Sequence, residues 1–136
     1  MSLTPPILSA LIAGILVILQ MGLMLSVVLA RRRQLQSIGD GGNPELLTAI
    51  RRHGNLAENA AIFVAGFALL EVLGGNRLLI TTMCAAFVVG RISHVVGLSM
   101  KNTLNAFRIA GVTITAFVGL ALGVGLIRIA LSNLGL

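Results

Sequence analysis

The sequence predicts an all-α integral membrane protein, an antiparallel bundle of four transmembrane helices that forms a single domain over residues 1–136. Two observations support this prediction. Apolar residues make up 57% of the 136 positions and charged residues only 10%, whereas soluble domains are about half apolar and about a quarter charged. So few charges could not cover a surface that faces water. The apolar residues also fall into four long runs that short polar segments separate.

The first helix is predicted over about residues 6–30. This run contains no charge and is long enough to cross a hydrocarbon core of about 30 Å. Three arginines, residues 31–33, follow it directly, and basic residues are enriched on the cytoplasmic side of membranes. We therefore expect a retained transmembrane helix, since a cleaved signal peptide would have a basic start, and an N-terminus on the non-cytoplasmic side.

The second helix is predicted over about residues 44–73. Asn43, Pro44 and Glu45 suit the N-cap and the first two positions of a helix, and Gly74 and Gly75 are expected to end it. The part of this helix up to residue 59 is polar, and the rest is apolar. We therefore expect it to begin in the cytoplasm or in a polar cavity.

The third and fourth helices are predicted over about residues 78–100 and 104–131. The polar segment 101–103 separates them, and such short connections make consecutive helices antiparallel. Alternation then places both termini on the non-cytoplasmic side. Glu71, near the outer end of the second helix, is expected to cap a helix or to pair with Arg77.

The net charge of +6, from ten basic and four acidic residues, would suggest nucleic-acid binding in a soluble protein. Here the basic residues concentrate in the two predicted cytoplasmic segments, as is typical of a multi-pass membrane protein. We therefore expect membrane lipids around the chain and no nucleic-acid partner. The single cysteine, Cys84, excludes an intramolecular disulfide, and the sequence contains no recognisable set of metal ligands.

Several polar residues lie inside the predicted helices, where ionisable groups cost several kcal/mol unless they are paired or face a cavity. Arg51, Asn55 and Glu58 follow the spacing i, i+4, i+7 and therefore share one face of the second helix. Arg91 and His94 are neighbours on the third helix. The fourth helix contributes Arg108 at a similar depth. These groups are expected to meet near the cytoplasmic end of the bundle.

Two interpretations of this cluster remain open at this point. In the first, Glu58 forms an ion pair with Arg51 or with Arg91 that only stabilises the bundle, and the cluster requires no ligand. Four arginines and one histidine, however, surround a single glutamate (residues 51, 52, 91, 108 and 94 around residue 58). Such an excess of buried positive charge favours a missing anion, which is either a lipid headgroup or a small anionic ligand.

The pattern R-x-x-x-N-x-x-E from Arg51 to Glu58, together with the segment Gly90 to His94, resembles the MAPEG superfamily, the membrane-associated proteins in eicosanoid and glutathione metabolism. The Gly-Asp-Gly-Gly loop before the second helix, and Glu71 ahead of two glycines, look like its bacterial branch. The resemblance covers nearly the whole chain and implies a location in the bacterial inner membrane.

The resemblance further implies a homotrimer that binds glutathione, as a co-substrate, between adjacent subunits and transfers it to a lipophilic small molecule. The residues that match the family's glutathione contacts are Arg31, Arg51, Asn55, Glu58, Arg91 and His94. Arg108 is the nearest match to the arginine that stabilises the thiolate. A guanidinium close to a thiol lowers the thiol pKa and so raises the fraction of nucleophilic thiolate.

This chain departs from the well-studied enzymes at two positions. Asn59 stands where they have a tyrosine, and Leu98 where they have an aromatic residue; the chain contains no tyrosine at all. Two functions therefore stay open, a glutathione transferase or peroxidase and a non-catalytic trimeric membrane protein that binds an anionic lipid or ligand. A small drug–proton exporter is disfavoured, because the first helix has Gln20 and no acidic residue.

Overall fold

The computed structural model describes residues 4–100, 102 and 105–135, and within them the chain forms four α-helices. The helices are α1 (Ile7–Gln34), α2 (Pro44–Val72), α3 (Arg77–Ser99) and α4 (Ala106–Leu134). Each is long and apolar enough to cross a membrane, which confirms the predicted four-helix membrane fold. α1 packs mainly on α2, and α3 mainly on α4, while α2 also contacts both α3 and α4.

The helices begin and end close to the predicted positions, with two differences. α1 continues through the arginines and ends at Gln34, and the residue that caps it, Leu35, has a left-handed φ of 49°. Basic side chains in a last helical turn interact favourably with the helix dipole, so the arginines extend α1 instead of ending it. α4 begins at Ala106 and runs to Leu134. The predicted start at residue 104, and Lys101 before it, lie outside the described residues.

Asparagine side chains cap three of the four helices. The Oδ1 atoms of Asn43, Asn76 and Asn105 each accept a hydrogen bond of 3.0 Å from the backbone N–H three residues later. Each bond satisfies one backbone donor that the first turn of a helix leaves without a partner. The predicted N-cap at Asn43 is therefore confirmed.

α1 begins differently, because its first turn is capped by a carboxylate from another helix. Glu71, near the end of α2, accepts from the backbone N–H of Leu8 at 3.0 Å through Oε1 and from that of Ser9 at 3.0 Å through Oε2. The Ser9 hydroxyl donates to Oε2 at 2.8 Å. Of the two roles expected for Glu71, the structure shows the cap, and this cap joins the outer ends of α1 and α2.

The interior between α2 and α3 is aromatic. The Phe63 and Phe87 rings stack with centroids 4.1 Å apart, and Phe67 packs against Phe87 edge-on. Many large apolar side chains lie instead on the outside of the bundle, among them Ile18 and Phe117 at 76% and 70% exposed. Exposed apolar residues on all four helices are what a surface surrounded by lipid requires.

Glycines bring α3 and α4 into backbone contact at the level of the polar cluster. A Cβ atom at Gly111 would lie 2.7 Å from both the Gly90 carbonyl oxygen and the His94 backbone nitrogen. A Cβ atom at Gly97 would lie 2.5 Å from the Arg108 backbone nitrogen. Since real Cβ atoms do not approach other atoms so closely, both positions require glycine for this helix crossing.

Candidate functional site

Arg91 lies at the centre of the polar cluster and is only 3% exposed. Its NH1 group donates to Asn55 Oδ1 at 3.0 Å. Its NH2 group donates to the Gly111 carbonyl oxygen at 3.2 Å and to Thr115 Oγ1. The guanidinium carbon also lies 5.8 Å from the centroid of the Phe87 ring. Arg91 therefore connects α2, α3 and α4.

No carboxylate among the described residues balances the charge of Arg91. Its hydrogen-bond acceptors are all neutral, and the one ion pair in the described part of the chain joins Arg33 to Glu45 at 3.6 Å on the surface. The Arg91 Nε atom is buried without a hydrogen-bond partner in those residues. Arg91 is therefore a buried cation whose acceptors among the described residues are all neutral.

His94 adds a second buried basic group, at 5% exposed. Its Nδ1 atom has no hydrogen-bond partner in the described ranges. Arg51, Arg91 and Arg108 all lie within electrostatic range of the ring. Basic residues of three helices thus contribute to the positive electrostatic environment of the His94 ring.

Arg51 and Glu58 lie on the outward surface of α2, and both side chains are exposed. Within the described residues neither takes part in an ion pair. The predicted structural ion pair between Glu58 and Arg51 or Arg91 is therefore not formed within the subunit. Asn55, between them on the same face, is partly buried and is the link from this surface to Arg91.

The same face of α2 continues into an apolar groove. Ile62 and Leu69, one and three turns beyond Glu58, are 71% and 56% exposed. They line a groove of about 380 Å³ between α2 and α4, with Gly119 and Leu122 on the opposite wall. A charged surface and an apolar groove thus adjoin on one side of the subunit. Such a surface suits a polar ligand bound next to an apolar one.

Arg108 occupies the first turn of α4 and is partly buried. Its backbone N–H is capped by Asn105, and its backbone lies against Gly97 of α3. The glycine contact between α3 and α4 therefore determines how close Arg108 comes to His94.

Arg31 is placed apart from this cluster by its own contacts. Its NH1 group donates to the carbonyl oxygens of Gln36, Ser37 and Gly39 at 3.2, 3.1 and 2.9 Å. These bonds hold the α1–α2 loop against the end of α1. Among the described residues no contact joins Arg31 to Arg91 or His94, so its role as a ligand contact stays a prediction.

Sequence reasoning missed Thr115, which accepts from Arg91 and is 8% exposed. A signal was present, because Arg108, Gly111 and Thr115 follow the spacing i, i+3, i+7 and so share one face of α4. Asn59 also has a role within the helix, since its Nδ2 atom donates to the Asn55 carbonyl oxygen at 2.8 Å.

The fold and the site together define a multi-pass membrane protein of four helices with an arginine-rich polar site inside one half of the bundle. A family model, that of the MAPEG family, matches residues 9–128. The chain belongs to this family, as the sequence pattern predicts.

Two relatives of the chain are bacterial inner membrane proteins. The chain is similar to the inner membrane protein YecN of Escherichia coli strain K12, with 31% identity over 107 residues, which cover 79% of this chain and 80% of YecN. YecN of Escherichia coli O6:H1 strain CFT073 matches with the same identity and coverage. No solved structure matches the chain.

Proposed function

We propose that this protein binds glutathione at the Arg91 cluster and uses it to modify or reduce lipophilic electrophiles, as a glutathione transferase or peroxidase. The observation that carries the proposal is the buried guanidinium of Arg91, which has no carboxylate partner among the described residues. It donates to Asn55, which shares one face of α2 with the exposed Arg51 and Glu58. Glutathione has two carboxylates and one ammonium group. It therefore matches a site of several arginines and one glutamate.

A homotrimer is part of the proposal. Arg51 and Glu58 are exposed on a single subunit, and charged side chains that face lipid are costly. A second copy of the chain against this face of α2 would enclose both charges in a polar groove between subunits. Mass measurement in a mild detergent is expected to give a trimer, and a stable monomer or dimer would contradict it.

The chemistry is assigned to Arg108, because the chain has no tyrosine to activate the thiol. A guanidinium beside the glutathione sulfur stabilises the thiolate, which is the nucleophile. The apolar groove between α2 and α4 continues the charged face of α2, so a lipophilic electrophile bound there would lie on the same side of the subunit as the bound peptide.

The direct test is a titration of reduced glutathione into the detergent-purified protein. Arg51→Ala and Glu58→Ala are each expected to weaken binding about tenfold or more, since either change leaves a charged end of the peptide without its partner. Arg33→Ala and Glu45→Ala are matched controls, because these residues form an exposed ion pair elsewhere and are expected to leave the Kd unchanged.

Wild-type protein that fails to bind glutathione at millimolar concentration would overturn the proposal. A purely structural role for the cluster gives a different pattern, in which Arg51→Ala and Glu58→Ala lower thermal stability and trimer yield together. In that case glutathione itself would not stabilise the wild-type protein.

A second candidate is a non-catalytic trimer that binds an anionic lipid or ligand. The observation that favours it is at Asn59, which stands in the position of the family's tyrosine and donates its amide hydrogen to the backbone of its own helix. A purified protein that binds glutathione but has no activity with an aryl halide or a lipid hydroperoxide would support this candidate. Turnover of either substrate supports the enzyme.

A further inference from the structure

The side-chain amide of Asn55 is held in one orientation by Arg91 of α3. Its Oδ1 atom accepts from Arg91 NH1 at 3.0 Å, and because a guanidinium only donates, the atom that faces it has to be the oxygen. The Nδ2 atom therefore lies on the other branch of the amide. Among the described residues it donates to no acceptor, and Asn55 is partly exposed.

Arg91 is held in turn by Thr115 on α4. The Thr115 hydroxyl donates its hydrogen to the Gly111 carbonyl oxygen at 2.7 Å. A hydroxyl has one hydrogen and two lone pairs, so its oxygen is left to accept from Arg91 NH2. These hydrogen bonds form a series from the Gly111 carbonyl through Thr115 and Arg91 to Asn55, and the donor and the acceptor of each bond are thereby assigned.

We propose that Thr115 is a positioning residue for ligand binding, and that it acts through Arg91 to present the Asn55 amide N–H group to an acceptor oxygen of the ligand. This inference rests on the proposed function, since it takes glutathione as the ligand. The Asn55 position then binds a carboxylate or a peptide carbonyl. Arg91, whose NH1 and NH2 groups both donate within the subunit, orients the site through Asn55, and its Nε atom is buried without a partner among the described residues.

An aspartate at position 55 separates this role from a structural one. The carboxylate would form an ion pair with the buried Arg91, which lacks a counter-ion among the described residues, and so would stabilise the fold. It would also replace the outward donor by a second acceptor, which repels the ligand oxygen. Asn55→Asp is therefore expected to raise thermal stability and to weaken glutathione binding about tenfold or more.

The test measures the glutathione Kd and the thermal midpoint of the full chain in detergent for four variants. Thr115→Val removes the hydroxyl and is expected to weaken binding about tenfold, whereas Thr115→Ser retains it and is expected to stay within about twofold of wild type. Thr113→Val is the matched control, because Thr113 lies on the same helix and is exposed. Asn55→Asp is the fourth variant, and it is expected to raise the thermal midpoint while it weakens glutathione binding.

The outcomes distinguish this inference from the proposed function. If wild-type protein does not bind glutathione, the proposed function fails and the inference fails with it. If wild-type protein binds and Thr115→Val binds equally well, the inference alone is overturned. Equal losses of binding in Thr115→Val and Thr115→Ser, or a loss of stability in Asn55→Asp without a loss of affinity, overturn it too.

Discussion

Arg91 and Arg108 belong to one cluster but lie in different environments. Arg91 is almost fully buried, and its NH groups donate to α2 and α4. Arg108 lies in the first turn of α4 and is partly exposed. Because the side chain of Arg91 joins α3 to α2 and α4, its removal would disturb the packing of all three helices. Within the proposed function, Arg108 is therefore the better candidate for a direct contact with the glutathione sulfur.

Arg108→Ala is expected to lower turnover by about 10² while changing the glutathione Kd only modestly. The reason is that the guanidinium interacts most strongly where negative charge resides on the sulfur. Measurements of kcat with an aryl halide and of Kd by titration test this together. Arg128→Ala, an exposed arginine near the other end of α4, is the control. Equal losses in kcat and affinity would assign Arg108 to peptide binding instead.

At the scale of elements, the crossing of α3 and α4 is what assembles the site. Gly97 and Gly111 allow the two backbones to touch, and Gly111 also offers its carbonyl oxygen to both Arg91 and Thr115. A displacement of α4 would therefore move Arg108 and break the chain of hydrogen bonds to Asn55 at the same time.

Gly111→Ala is expected to destabilise the protein by about 1–3 kcal/mol, because the added methyl group meets the backbone of α3 and forces the helices apart. Glutathione affinity should fall with it. Thermal unfolding in detergent measures the effect. Gly123→Ala is a matched control on the same helix, since a Cβ atom there meets nothing within 4 Å. Similar midpoints for the two variants would show that the close contact is dispensable.

At the scale of the whole molecule, the distribution of charge predicts the orientation in the membrane. Seven basic residues lie in or beside the α1–α2 and α3–α4 connections, at positions 31, 32, 33, 51, 52, 101 and 108. The opposite ends of the helices carry only Arg77 and Arg128. Basic residues are retained on the cytoplasmic side, so both termini are expected outside the cytoplasm.

A reporter fused to the C-terminus tests this orientation. Alkaline phosphatase, which requires an oxidising compartment for its disulfides, is expected to be active there, and a reporter that requires the cytoplasm is expected to be inactive. The same pair fused within the α1–α2 loop should give the reverse result. Activity of the cytoplasmic reporter at the C-terminus would show that the charge bias does not control the topology.

The sequence by itself determined the number of helices, their limits to within a few residues, and the family. These properties are local: apolar runs long enough to span a membrane, Asn43 and Pro44 at a helix start, and the spacing of Arg51, Asn55 and Glu58 on one helix face. Helical periodicity alone places such residues together, without knowledge of how the helices pack.

Only the tertiary structure decided which side chains meet across helices. The acceptors of Arg91, the cap of α1 by Glu71, and the exposure of Glu58 without an ion-pair partner among the described residues all depend on how the helices cross. A displacement of about 1 Å is enough to break a hydrogen bond, and spacing within one helix contains no information about a second helix. The glycines of α3 and α4 determine that crossing, and with it the position of Thr115 beside Arg91.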